Sequence, residues 1–360
     1  MRIGILLTPY QEEQINKQQY VKVEKRDWLD TLKEKNIITV KKKKFATDDI
    51  SIYMYLKKNF SKKHTIVPIY GDDLNLKQKI EKCDIVFLLI FDILEAYHNN
   101  SKQDFHKMKS IFKSPNVFPP YDYQDLINHK NKYYEYLEKN DINVLPFVFI
   151  SSREIKKNMK GCLKKIKKLK PGEEGKIIGK PIYGQESKDF MQFEENTKPY
   201  KFIKYLEKIS VLYTGCVFQP FRKGFDEMGE YRVFFIGDKI LYCIRDFTGK
   251  RVTEKNDNRV AGIFEFCKKI FSILPQFTLK GEPIPKLLTR MDITCCHHKD
   301  YFISELEFVP SLYLDRVDGL YIDKKLGEQI IDISEHINTI QKEKGLKKIN
   351  FKTIFNKEKK

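Results

Sequence analysis

Apolar residues gather into short blocks separated by longer polar stretches, and the blocks have the length of buried strands. Residues 3–7 (IGILL) form the first block, stopped by Thr8-Pro9. Residues 65–69 form the second and residues 84–91 the third. The third is apolar at nearly every position, as strands buried on both faces of a parallel sheet are. Polar, helix-permissive stretches between the blocks predict an open, Rossmann-like α/β sheet of about four strands. It carries no G-x-G-x-x-G, so nothing in it points to a dinucleotide. Residues 8–24 are polar and irregular and predict a loop.

Pro115, Pro119 and Pro120 cannot continue either regular element and mark a boundary near residue 118. Beyond it the periodicity predicts a helix over residues 123–139 and a strand over 143–150. A lysine-rich helix opens at Ser151-Ser152-Arg153-Glu154 and ends at Pro171-Gly172. A strand over 176–182, a polar loop over 183–189, a helix over 199–210 and a strand over 216–221 follow. One hairpin then joins residues 231–236 to 239–243 across Gly237-Asp238. A second joins 288–294 to 301–308 across a polar turn. Leu326, Ile330, Ile333, Ile337 and Ile340 recur at helical spacing and predict a last amphipathic helix. From Gly345 the chain is rich in lysine and is expected to fray.

Composition narrows the class. With 41% hydrophobic and 32% charged residues the chain is globular, and its 360 residues exceed one compact core. No apolar run approaches the ~18–20 residues that span a bilayer. The residues after Met1 lack the ~7–15-residue apolar core of a secretory signal. The seven cysteines are odd in number and form no C-x-x-C, which fits a reducing compartment. A soluble, cytoplasmic protein is expected. The net charge of +18 invites an acidic partner such as nucleic acid, anionic lipid or a phosphorylated small molecule. Lysine supplies most of that charge, however, and runs such as Lys41-Lys42-Lys43-Lys44 read equally well as solvated faces. Arginine is rarer. Arg222, Arg232, Arg245, Arg251 and Arg259 fall in one stretch, and the guanidinium fork suits phosphate and carboxylate.

The candidate chemistry lies in the second half. Asp292 sits in one strand of the second hairpin, and Glu305 and Glu307 sit in the next at i and i+2, hence on one face. Spacing alone leaves open that these acids face solvent. If they converge, a divalent cation such as Mg²⁺ or Mn²⁺ relieves their repulsion. Lys180, inside an apolar strand, precedes the loop Gly184-Gln185-Glu186-Ser187, whose amides could close over phosphate. Phe218-Gln219-Pro220-Phe221 ends a strand with aromatic rings beside main-chain groups that could read an adenine. Cys295-Cys296-His297-His298 lacks the spaced pairs of a zinc site and is expected to be an ordinary turn.

These motifs occur together in an order that resembles the ATP-grasp superfamily, in its glutathione-synthetase-like branch. Residues 304–314 are similar to the D-cycloserine-forming type of ligase. The resemblance covers roughly residues 118–320. It implies a Rossmann-like preceding domain (1–118), an N-terminal lobe (119–213), a C-terminal lobe with the metal site (214–345) and a basic tail (346–360). It implies ATP and Mg²⁺ (or Mn²⁺) as cofactors. Lys130 (or Lys132, one register over) and Lys180 would hold the nucleotide phosphates, and residues 184–187 would cover them. Phe218, Gln219, Pro220 and Phe221 would form the adenine hinge, and Asp226 or Glu227 would meet the ribose. Arg232 would approach the terminal phosphate, Arg245 and Arg259 the substrate, and Asp292, Glu305 and Glu307 the metal. The loop after Lys180 has fewer glycines than in many relatives. Glu307 stands where glutathione synthetases have asparagine.

The implied activity is a carboxylate–amine ligase working through an acyl phosphate on small-molecule substrates, a homodimer being open. An ATP-grasp kinase of a polyanion such as an inositol phosphate is the alternative on the same scaffold. A non-enzymatic, basic nucleic-acid-binding protein is a further one, for which the sequence carries no recognised motif.

Overall fold

The computed structural model describes residues 1–7, 20–33, 36–71, 73–89, 112–183, 189–246, 249–295, 300–317 and 319–355. The first sheet is parallel and four-stranded, in the spatial order Thr65–Tyr70, Arg2–Leu7, Ile85–Leu88, Val117–Phe118. Apart from exposed Arg2, its central strands are buried, as their apolar runs require. Most of the expected loop over 8–24 (residues 8–19) lies outside the described residues, and its described end is strand rather than loop. Tyr20–Lys22, Lys43–Thr47 and Ile38–Val40 pair into a small antiparallel sheet, and Asp48–Phe60 follows as a helix.

The predicted helix over 123–139 is two helices, Tyr121–Ile127 and Lys130–Lys139, broken at Asn128 and His129. The break aims the second helix so that the Lys130 amide donates to the Ile182 carbonyl. A middle antiparallel sheet runs Met191–Glu194, Lys176–Pro181, Gly215–Pro220, Val148–Ser151. It has its own apolar core, including Ile150, Cys162, Ile166, Leu206 and Phe218. Three helices cover that core: Ser152–Lys157, Met159–Lys168 and Pro199–Leu212. Ser151 and Glu154 close a reciprocal cap on the first of them.

The C-terminal sheet is five-stranded, in the order Lys250–Val252, Lys239–Arg245, Tyr231–Ile236, Leu288–Cys295, Tyr301–Glu307. Both predicted hairpins are present in it. One continuous core joins this sheet to the first one and takes in the predicted last helix, Ile322–Glu343. A buried ion pair crosses the same contact, Arg26 Nε to Asp323 Oδ2 at 2.7 Å. The expectation of fraying after Gly345 is corrected. Lys352–Ile354 pairs with Gln276–Leu279, because Ile349 and Phe351 are buried and anchor the lysine-rich segment.

Candidate active site

Cross-strand register assembles the site. Directly opposed residues on neighbouring strands share a face. Asp292 lies opposite Arg232 on one side and Glu305 on the other, and Arg290 lies opposite Glu307. Arg232, Arg290, Asp292, Glu305 and Glu307 therefore project from one face of the C-terminal sheet. A register shift after Asp292 leaves these pairs intact. The other face, with Tyr231, Val233, Met291 and Ile293, is buried in the core.

Two lysines reach the same carboxylates from elsewhere. Lys130, first residue of its helix, places Nζ 2.9 Å from Glu305 Oε1. Lys180, from the middle sheet, lies near enough to Glu305 to pull on its charge, and its Nζ sits 5.9 Å from the centre of the Phe225 ring. Lys132, the register alternative, pairs instead with Asp125.

Arg290, which sequence reasoning missed, is the central cation. It is almost fully buried. Its Nε and Nη2 donate to Asp292 at 2.8 and 2.9 Å, and Nη2 also donates to Glu307 Oε1 at 2.6 Å. Arg232 lies 3.7 Å from Asp292 Oδ2 through Nε and 3.2 Å from Asp246 through Nη2. Glu230 was also missed as a site residue. It accepts from Ser304 Oγ at 2.6 Å. The cluster thus opposes four acids (Glu230, Asp292, Glu305, Glu307) to four cations (Lys130, Lys180, Arg232, Arg290). Pairing of opposite charges is what permits so many of them in a half-buried place.

The acids are not equivalent. Burial opposes ionisation of Glu305, but Lys130 and Lys180 overcome it and hold the carboxyl at about 2. Burial pushes Glu307 up to about 8, with Glu305 and Asp292 adding to the rise against the pull of Arg290. Burial and the charges of Asp292 and Glu305 push Glu230 up to about 7. Burial lowers Lys180, and Lys130 adds to that while Glu305 resists. Carboxyls held apart in this way are a common mark of functional sites.

The residues fit a hard divalent cation. One oxygen each from Asp292, Glu305 and Glu307 lie within 4.8 Å of one another. Glu307 Oε2 is buried without a hydrogen-bond partner. An all-oxygen donor set suits Mg²⁺ or Mn²⁺. Arg222 Nε and Arg232 Nε are likewise buried without a hydrogen-bond partner.

Other sequence candidates are placed differently. Phe218 is fully buried in the core of the middle sheet, packed at tilted and edge-on angles among Phe193, Phe202 and Tyr205, so its ring does not cover a nucleotide. Gln219 is buried and accepts from Tyr134. Pro220 ends the strand. Phe221 donates to the Lys176 carbonyl and accepts from the Glu173 amide, so a strap over residues 172–176 ties down this junction. Asp226 lies exposed on the short helix Gly224–Glu227 just beyond.

Arg245 and Arg259 are not brought to the carboxylates. Arg245 lies opposite Tyr231, which alternates with Arg232 along its strand, so its side chain takes the other face. Both guanidinium groups lie against the Tyr231 ring, at 5.7 and 5.6 Å, and Arg259 pairs with Asp257. Gly184, Gln185, Glu186 and Ser187 lie outside the described residues, as do Cys296, His297 and His298. Among the described residues, no helix is long and apolar enough to cross a membrane.

No protein-family model matches the sequence, and no curated protein matches it. Solved structures do match. D-cycloserine synthetase aligns with a TM-score of 0.58 at 12% identity, over 91% of this chain and 99% of that one. The D-alanine–D-alanine ligase of Bacillus anthracis complexed with ATP aligns with a TM-score of 0.58 at 16% identity, over 94% and 99%. The N5-carboxyaminoimidazole synthetase of Staphylococcus aureus complexed with ADP aligns with a TM-score of 0.51 at 13% identity, over 87% and 72%. The chain has the ATP-grasp fold.

Proposed function

We propose that this chain is an ATP-dependent ligase that joins a small-molecule carboxylate to an amine through an acyl phosphate, releasing ADP and phosphate. The observation that supports this best is the meeting of three carboxylates from one sheet face with lysines from two separate segments, Lys130 and Lys180. Such an arrangement suits a metal–nucleotide, whose phosphates need cations on one side and whose metal needs oxygens on the other.

Asp292, Glu305 and Glu307 would hold magnesium or manganese, which supplies neutralisation of phosphate charge. Lys130 and Lys180 would bind phosphate oxygens, trading their present hold on Glu305 for the nucleotide. Arg232, beside Asp292, would spread the charge that grows on the transferred phosphoryl group. Arg290 would keep Asp292 and Glu307 fixed in orientation, since it grips both. A substrate carboxylate attacks the terminal phosphorus, an acyl phosphate and ADP form, and an amine displaces the phosphate. Arg245 and Arg259, turned to the Tyr231 face, would support the strand that carries Arg232. The hinge reading of residues 218–221 narrows to the main chain at Gln219 and Pro220, where the middle sheet ends.

The test is product analysis with ATP, Mg²⁺ and pooled amino acids, γ-glutamyl compounds and inositol phosphates. The ligase reading expects phosphate release that requires both a carboxylate and an amine. A stable phosphorylated product without free phosphate would replace it with the kinase reading. Glu305→Gln is expected to lower turnover by ~100-fold or more, as loss of a metal ligand does. It should also abolish the Mg²⁺-dependent part of ATP-induced thermal stabilisation while the fold stays intact. Unchanged turnover would remove Glu305 from the metal site.

A further inference from the structure

The outer helices of the middle sheet carry a charge distribution that the ligase reading does not use. Residues 152–170 contain nine lysines and arginines, all exposed, against a single acid, Glu154. Over the whole chain, 67 basic residues are set against 49 acids, so this stretch departs from the general lysine bias. Glu154 is already taken up by the capping box and by Lys165. The helix Met159–Lys168 turns Cys162 and Ile166 into the core and its lysines outward. Like charges at i and i+4, such as Lys160, Lys164 and Lys168, destabilise a helix by ~0.2–0.5 kcal/mol per pair. The caps at Ser151 and Asn158 hold the helices against that repulsion.

We propose that this helical face docks the phosphate backbone of a double-stranded nucleic acid without reading sequence. Five lysines occur in the ten residues of Met159–Lys168. At 1.5 Å per residue that is one positive charge per ~3 Å of axis. One strand of a duplex carries one phosphate per ~3.4 Å of its axis, so the two charge densities match. Lysine is a compact, non-directional charge suited to phosphate rather than to base edges. The stretch has no aromatic residue on which unpaired bases could stack, which favours duplex over single strands. Its apolar stripe is committed to the core, so it has no face to insert into a lipid surface. None of these lysines belongs to the carboxylate site, and the proposal stands apart from the ligase reading.

The test uses the full chain and a labelled DNA duplex of arbitrary sequence, with binding followed by anisotropy across salt concentrations. The logarithm of affinity should fall with the logarithm of salt at ~0.9 per phosphate contact, hence about −3.6 for the four lysines left when Lys165 stays with Glu154. The combined variant Lys160→Gln, Lys164→Gln, Lys168→Gln should make that slope shallower by about 2.7. Its melting temperature should be no lower than the parent's, because two like-charge pairs are relieved, and its ATP-induced stabilisation should match the parent chain. Lys41→Gln, Lys42→Gln, Lys43→Gln, in a separate lysine run, should leave the slope nearly as it was. An unchanged slope in the helix variant, an equal loss in the loop variant, or binding to phosphatidylserine vesicles but not to duplex would each overturn the proposal.

Discussion

Arg290→Met removes the cation that two of the site's carboxylates share, while keeping most of the stem's volume. In the intact protein the guanidinium donates to both oxygens of Asp292 at 2.8 and 2.9 Å and to Glu307 at 2.6 Å. Deleting one partner of a buried pair leaves charge without compensation and costs about 3–5 kcal/mol. Glu307, already pushed up to about 8, limits the loss by taking a proton. Melting temperature moves by roughly 2 °C per kcal/mol in large chains, so a fall of about 6–10 °C is expected in EDTA at pH 8. Magnesium should then recover more in the variant than in the parent, because it no longer competes with a guanidinium for the same oxygens. A cation at ~100 times its dissociation constant returns ~2.7 kcal/mol. Thermal melts of both proteins, with EDTA and with MgCl₂, measure the two effects. A fall below about 2 °C, or a magnesium gain no larger than that of the parent, would refute the view that Arg290 and the metal share these carboxylates.

Two further changes probe features away from the carboxylates. Burial lowers Lys286 from 10.5 to about 8. Between those values the folded chain holds fewer protons than the unfolded one, so its stability rises with pH there and the whole penalty stands below pH 8. About 2.5 pK units amount to about 3 kcal/mol, offset by cation–π contacts of ~0.5–2 kcal/mol each with Phe271 and Phe277 at 5.0 and 5.5 Å. Lys286→Met should therefore raise the melting temperature at pH 7 but not near pH 10.5, and an equal gain at both would show that burial of charge is not the cause. Gly172→Ala would put a Cβ 1.9 Å from the Phe221 carbonyl oxygen. The strap over the junction must shift, at ~1–3 kcal/mol, and ATP affinity should fall with it; an unaltered affinity in a destabilised protein would separate the strap from nucleotide binding.

Much of the fold was legible because apolar blocks and turn residues are local signals. Both hairpins, the parallel sheet and the last helix follow from them. The acids were legible for the same reason: Glu305 and Glu307 alternate correctly, and Asp292 sits in the adjoining strand. Arg290 carried an equally local signal, since Arg290-x-Asp292 mirrors Glu305-x-Glu307 on the facing strand, and the i, i+2 rule could have found it. Arg245 could not be placed that way. Its face depends on which residue lies opposite, and pairing register is set by contacts distant in sequence. Phe218 misled because a ring at a strand end can turn either outward or into its own core. The fraying expected after Gly345 failed because lysine content outweighed Ile349 and Phe351 in a reading by composition.

The cross-segment origin of the cations has a practical consequence for anyone dividing this protein. The C-terminal sheet holds Asp292, Glu305 and Glu307, with Glu230 one residue ahead of its strand, whereas Lys130 and Lys180 arrive from earlier segments. A fragment beginning near residue 214 would inherit the carboxylates without half of their counter-ions. It would meet neutral pH by taking up protons or by scavenging metal from solution, and measurements on it would report an electrostatic environment that the intact chain never has.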